Sequence, residues 1–179
     1  MKKSAIALSI GAAAVALGLT PLASGHATVS LLQPQGKALT SARVAIVLRA
    51  PNERATTSTF QMALNVPEGV QRSISVKAMS DWKIVLKRRD TGEKNASGEP
   101  IMATEKVTWI ARTPDARIDP GFYGEWYFRI QNPTTPQRLC FSIDQWYTKK
   151  TQNGKPERVS WSGASDSATP ASCMDVVVS

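Results

Sequence analysis

Phe122-Tyr123-Gly124-Glu125-Trp126-Tyr127-Phe128-Arg129-Ile130 is the stretch whose spacing decides the fold. Side chains of an extended chain alternate between two faces. Phe122, Trp126, Phe128 and Ile130 therefore share one face with Gly124, and Tyr123, Glu125, Tyr127 and Arg129 share the other. A bulky apolar face backed by a polar one, with period two, predicts a half-buried strand. The same period appears upstream: Val44, Ile46 and Leu48 alternate with Ala45, Val47 and Arg49, and Phe60, Met62, Leu64 and Val66 alternate with Gln61, Ala63 and Asn65. Pro51-Asn52-Glu53 and Pro67-Glu68-Gly69 interrupt these runs as turns. Further strands are expected around 74–76, 82–87, 101–110, 139–143, 158–161 and 174–178, with polar loops at 92–98 and 162–171. Nothing after residue 25 carries a helical period. Many short strands at roughly ten-residue spacing indicate an all-β chain, an antiparallel β-sandwich of immunoglobulin- or cupredoxin-like type.

The first residues belong to another category. Met1-Lys2-Lys3 is a positive start and Ala5 to Leu19 an almost uncharged apolar run, too short and wrongly flanked for a membrane span. We read residues 1–25 as a cleaved signal peptide and 26–179 as one domain. Small residues Ala23 and Gly25 suit cleavage after Gly25, which makes His26 the first residue of the mature chain. A cut after Ala27, using Gly25 and Ala27, fits nearly as well and would remove that histidine. Losing Lys2 and Lys3 lowers the formal charge from +8 to +6. The basic residues are scattered apart from Lys87-Arg88-Arg89, read as a solvated hairpin end before Asp90-Thr91-Gly92. With an export signal, that distribution argues against nucleic acid as partner. No second apolar span follows, so the mature chain is expected to lack a membrane anchor and to be periplasmic or extracellular.

Two cysteines, Cys140 and Cys173, in a chain sent to an oxidising compartment are expected to bond to each other. A thiolate copper site is the competing reading, but no second histidine accompanies them. His26 is the only histidine in the sequence. As a terminal residue it offers one metal both its freed α-amine and its ring Nδ1, a chelate closed to any internal histidine. Such nitrogen donors with tetragonal geometry suit Cu(II). Glu125 could supply a charged third ligand. Otherwise it pairs with Arg129 along the same face or is simply solvated.

These residues taken together resemble the YcnI-like copper-binding domain of bacterial exported proteins. The resemblance runs from His26 to about Gly163. It rests on His26-Ala27-Thr28, Leu48-Arg49-Ala50-Pro51, Ala55-Thr56-Thr57, Val66-Pro67-Glu68-Gly69-Val70, Val76-Lys77-Ala78-Met79 and Trp82. It continues through Val107-Thr108-Trp109, Tyr123 to Arg129, Gln145 and Trp161. It implies a β-sandwich in which a single-histidine brace, a glutamate and a nearby tryptophan hold Cu(II). Matched by position, those residues are His26, Glu125 and Trp161, with Glu53 as the reserve carboxylate and Tyr123 and Tyr127 as surrounding side chains. Neutral indole is a poor donor, but its face can shield a cation. Here a longer polar stretch, Lys149 to Pro156, precedes Trp161.

The expected function is Cu(II) binding for acquisition, delivery or buffering, with another periplasmic or membrane copper protein as partner. A secreted immunoglobulin-like interaction module without metal is the alternative. An enzyme is disfavoured: a monooxygenase brace needs a second histidine, and no serine, histidine and aspartate set can form once His26 is at the terminus. An electron-transfer copper centre would need two histidines and a free cysteine.

Overall fold

A computed structural model of the chain describes residues 25–33 and 36–178, so the expected signal peptide lies outside the described residues but for Gly25. Eleven strands are formed by the described residues: β1 (Thr28–Leu31), β2 (Ala38–Leu39), β3 (Arg43–Pro51), β4 (Thr59–Asn65), β5 (Ser75–Val76), β6 (Trp82–Lys94), β7 (Pro100–Ala111), β8 (Tyr123–Gln131), β9 (Gln137–Lys150), β10 (Pro156–Trp161) and β11 (Ser172–Val177). Only two single-turn 3-10 helices, Glu68–Val70 and Pro114–Ala116, interrupt them.

The strands form two sheets. One has the order β1-β3-β8-β5 and the other β2-β11-β9-β4-β7-β6, with β10 also paired to β9. Strand β9 is long enough to hold β11 along residues 137–141 and β10 along 143–150. The inner faces meet as the alternation predicts. Trp126 of β8 stands edge-on to Trp82 of β6 at 5.2 Å between centroids and tilted to Trp109 of β7 at 6.4 Å, while Phe128 meets Phe141 of β9 at 6.0 Å. Trp82, Trp109, Trp126, Phe128 and Phe141 are all buried, which places the core between the sheets. Aromatic pairs in these geometries add roughly 0.5–1.5 kcal/mol each to the area they bury.

Three local expectations are corrected. The pairing between strands is antiparallel except that β2, a two-residue edge strand, runs parallel to β11, with Val176 opposite Ala38. Strands β1 and β2 are too short to show a period in the sequence. Phe122 lies outside β8 and points to solvent, since Gly121, with φ +82°, turns the chain just before it. Lys87-Arg88-Arg89 sits inside edge strand β6, not at a hairpin end: Asp90 accepts the Gly92 amide at a bulge, and the reversal comes later, where the Gly98 amide reaches the Asn95 carbonyl. The triplet is exposed, with Lys87 and Arg89 both paired to Glu105, and charged side chains on an edge strand discourage edge-to-edge pairing. Cys140 and Cys173 face each other across β9 and β11, 4.0 Å apart at Cα, and form the disulfide.

Candidate metal centre

The site residues gather where β1 begins. The Val29 amide donates to Ser172 Oγ at 2.7 Å, tying β1 to β11 of the other sheet. The antiparallel register Thr28 opposite Arg49 brings the preceding residues level with the end of β3, and the Gly25 amide donates to the Glu53 carboxylate. His26, between them, is exposed, and its ring meets the Trp161 indole edge-on at 5.4 Å between centroids. Trp161 closes β10 opposite Ile143 of β9 and is 5% exposed, with its Nε1 buried and without a hydrogen-bond partner. Thus His26, Trp161 and Glu53 are assembled from three distant segments.

Glu53 owes its position to two buried amides. Asn52 donates through Nδ2 to the carbonyls of Thr57 at 2.7 Å and Ile118 at 2.8 Å, and its Oδ1 accepts the Arg54 amide at 3.0 Å. Gln145, on the inner face of β9, donates to the Pro51 carbonyl at 3.0 Å and to Thr59 Oγ1 at 2.8 Å. Both side chains are buried, so breaking either set would leave an unsatisfied group at a cost of roughly 1–3 kcal/mol. The loop is therefore held on both sides of Glu53 while its carboxylate stays exposed. Next to it the Arg54 guanidinium lies over the Tyr147 ring at 4.9 Å and pairs with Glu157 at 2.7 Å. Burial pushes the Tyr147 hydroxyl up to about 12, against the pull of Arg54 and with help from the negative charges of Glu157 and Glu53. Tyr147 is thus neutral at ordinary pH.

Glu125 lies elsewhere in the same sheet. It is directly opposite Arg49, which is itself opposite Thr28, so two strand spacings of roughly 5 Å each separate Glu125 from β1. Arg49 Nε donates to it at 2.6 Å and the Tyr127 hydroxyl donates to its other oxygen. The Tyr127 hydrogen bond and then that from Arg49 hold the Glu125 carboxyl below the usual glutamate range, against partial burial. Its partner is the cross-strand Arg49 and not Arg129, because directly opposed residues stand closer than residues two apart on one strand. Arg49 also reaches Ser30 Oγ at 3.2 Å, linking three strands. Lys77 covers the Tyr127 ring at 4.8 Å, and Tyr123 is exposed at the end of β8.

Among the described residues, no three or more His, Cys, Asp and Glu side chains are grouped closely enough to hold a metal ion. The donor set at His26 fits Cu(II) only if the backbone amine joins the imidazole and Glu53, leaving the indole to cover one side. The sequence singled out His26 by its place after the apolar start, and the family resemblance added Glu125, Trp161 and, in reserve, Glu53. It did not reveal Asn52, Arg54 or Tyr147, whose roles follow from contacts between loops. Gln145 carried a signal, as the one polar position on the otherwise apolar face Leu139, Phe141, Ile143, Gln145, Tyr147.

Fold and site together define an immunoglobulin-like β-sandwich that presents an exposed histidine on a buried tryptophan beside a fixed loop carboxylate. The chain matches the model of the family described as "Domain of unknown function (DUF1775)" over residues 26–176 and belongs to that family. It is similar to an uncharacterized protein from Nocardia farcinica whose crystal structure is described as immunoglobulin-like, with 20% identity and a TM-score of 0.62, over 86% of this chain and 99% of that one. It is also similar to a cohesin module from a Clostridium perfringens family 33 glycoside hydrolase, with 9% identity and a TM-score of 0.50, over 86% of this chain and 96% of that one. At these identities the likeness concerns the fold. No curated protein matches the sequence.

Proposed function

We propose that the protein is an exported, YcnI-like copper binder that takes up one Cu(II) ion at His26 for acquisition, delivery or buffering of the metal. The carrying observation is the packing of the His26 ring on Trp161 beside Glu53, whose carboxylate meets the backbone nitrogen of residue 25. Cleavage after Gly25 would place a new α-amine one residue from that carboxylate. Imidazole, amine and one carboxylate then converge without any further side chain. Glu53 is the better-placed carboxylate, because both oxygens of Glu125 already accept hydrogen bonds from Arg49 and Tyr127. The Cys140–Cys173 disulfide supports an oxidising compartment, and no helix of the described residues is long and apolar enough to cross a membrane. Affinity should fall as pH falls, because protons compete for the amine and the imidazole.

The test is a native mass spectrum of the exported chain with and without one equivalent of Cu(II), followed by affinity titrations. The expected species starts at His26, is two hydrogens lighter than the reduced chain and retains one copper. Retaining Gly25 should abolish tight binding, and Glu53→Gln should weaken it by at least the roughly 10–100-fold that changes around metal ligands cost. Glu125→Gln should leave it nearly unchanged. A chain starting at Thr28, or equal copper affinity with Gly25 retained, would overturn the proposal.

A further inference from the structure

The polar stretch Lys149 to Pro156 is not absorbed by the copper reading, and the structure places it beside the same site. Lys150 of β9 stands opposite Pro156 of β10, and the turn between them is closed by the Thr151 amide on the Lys155 carbonyl at 2.7 Å and by Gly154, at φ +77°, on the Thr151 carbonyl at 2.9 Å. Lys149, Lys150 and Lys155 are all exposed, and among the described residues none of them is in a salt bridge. The hairpin is fixed to the Glu53 loop: the Lys149 amide donates to Thr57 Oγ1 at 2.8 Å, Thr148 Oγ1 shares a hydrogen bond with Thr57 Oγ1, and Glu157 pairs with Arg54. On the loop's other flank the turn before β8 presents Phe122, 68% exposed, and β8 itself opens on Tyr123, 63% exposed. That turn is fixed to the same loop, since the Asn52 amide donates to the Phe122 carbonyl at 2.8 Å.

We infer that this end of the sandwich is a docking surface for an acidic protein, with the lysine hairpin taking up its carboxylates and Phe122 and Tyr123 its apolar contacts. The inference rests on the copper reading in one respect: the docked partner would be the protein that exchanges metal with His26. Adjacent exposed aromatic residues are typical of protein interfaces, and complementary charge speeds and orients encounter. Because the hairpin backbone is already closed by its own hydrogen bonds, docking orders only the lysine side chains and not the loop that carries them. The surface is also a mosaic. Glu53 and Asp119, the latter accepting from Ser58 Oγ at 2.6 Å, place negative charge beside the aromatic pair. A uniformly anionic lipid surface would be repelled there, whereas a protein surface can match the pattern.

The experiment titrates the metal-free, 15N-labelled exported chain with polyglutamate, with a 4:1 glutamate–tyrosine copolymer, and with 1:1 phosphatidylglycerol–phosphatidylcholine vesicles. The amide shifts should concentrate in 148–157, 53–58 and 119–123, with the copolymer binding more tightly than polyglutamate. The triple variant K149E, K150E and K155E should lose at least tenfold in affinity, and Phe122→Ser with Tyr123→Ser should erase the copolymer's advantage. Shifts centred on Arg72 and Lys87 to Arg89, or affinity unaffected by the triple variant, would overturn the inference. So would vesicle binding that needs the three lysines while neither polymer binds, which would assign the surface to a membrane. Copper titration of the triple variant, expected unchanged, separates this outcome from failure of the copper reading.

Discussion

Replacing Gly124 by alanine isolates one contact in the core. A Cβ built on Gly124 meets Trp126 Cη2 at 2.5 Å and two further atoms of the same ring at 3.0 Å. The ring has no room to retreat, because Trp82 stands against it at 5.2 Å and Trp109 at 6.4 Å, and it is buried. Overpacking of this kind costs about 1–3 kcal/mol. Alanine also restricts the unfolded chain, which offsets roughly 0.4–1 kcal/mol. The net loss is on the order of 1–2 kcal/mol, and for a domain of about 150 residues that lowers Tm by roughly 2–8 °C. Thermal and urea unfolding followed by tryptophan fluorescence and near-UV circular dichroism measure it, with a fall in denaturation midpoint at constant slope. Gly69→Ala is the control, since its Cβ would lie 3.4 Å from Pro133, an ordinary contact, and stability should hold or rise slightly. In a Trp126→Phe background the shorter ring should make Gly124→Ala milder. A Gly124→Ala protein as stable as the parent would refute the packing argument.

Two further outcomes follow from the same structure. Replacing Cys140 and Cys173 together by alanine removes a cross-link 33 residues apart and should cost roughly 3–4 kcal/mol by the chain-entropy estimate, read as a lower urea midpoint; a midpoint equal to the oxidised parent's would contradict it. The Glu125 carboxyl titrates lower in the folded than in the unfolded chain, so between the two values the unfolded chain binds more protons and stability rises with pH. Its contribution is complete above the ordinary glutamate value and fades as pH falls through the lower folded one. Glu125→Gln should therefore flatten the acid limb of a plot of Tm against pH below the ordinary glutamate range, and an unchanged limb would show that Tyr127 and Arg49 do not hold the carboxylate.

Much of the architecture was legible because burial imposes a period of two on each long strand. The faces assigned to 44–49, 62–66 and 123–130 are those the sheets use, whereas Phe60 falls where β4 shifts register against β9 and is not part of the core; the two cysteines meet as their number and setting implied. The parallel pairing of β2 escaped notice because two residues hold no period. Phe122 was misassigned because alternation says nothing of where a strand begins. For Glu125 the sequence offers an ion pair only on its own strand, with Arg129, beside the ligand and solvated readings, since register between strands is invisible until they pair.

The site divides along the same line. By itself the sequence determined an all-β chain and a lone histidine behind an apolar stretch, which are properties of residue type and local spacing; Glu125 and Trp161 entered as companions of that histidine through the family resemblance. Only the tertiary structure decided that Glu53 stands beside the backbone of residue 25 while Glu125 is held by Arg49 and Tyr127. Residues 26, 53 and 161 are brought together by the hydrogen bond that ties β1 to β11 of the other sheet, by two buried amides and by the β9–β10 register. Each is a pairing between segments far apart in the chain, where no local pattern can record the neighbour.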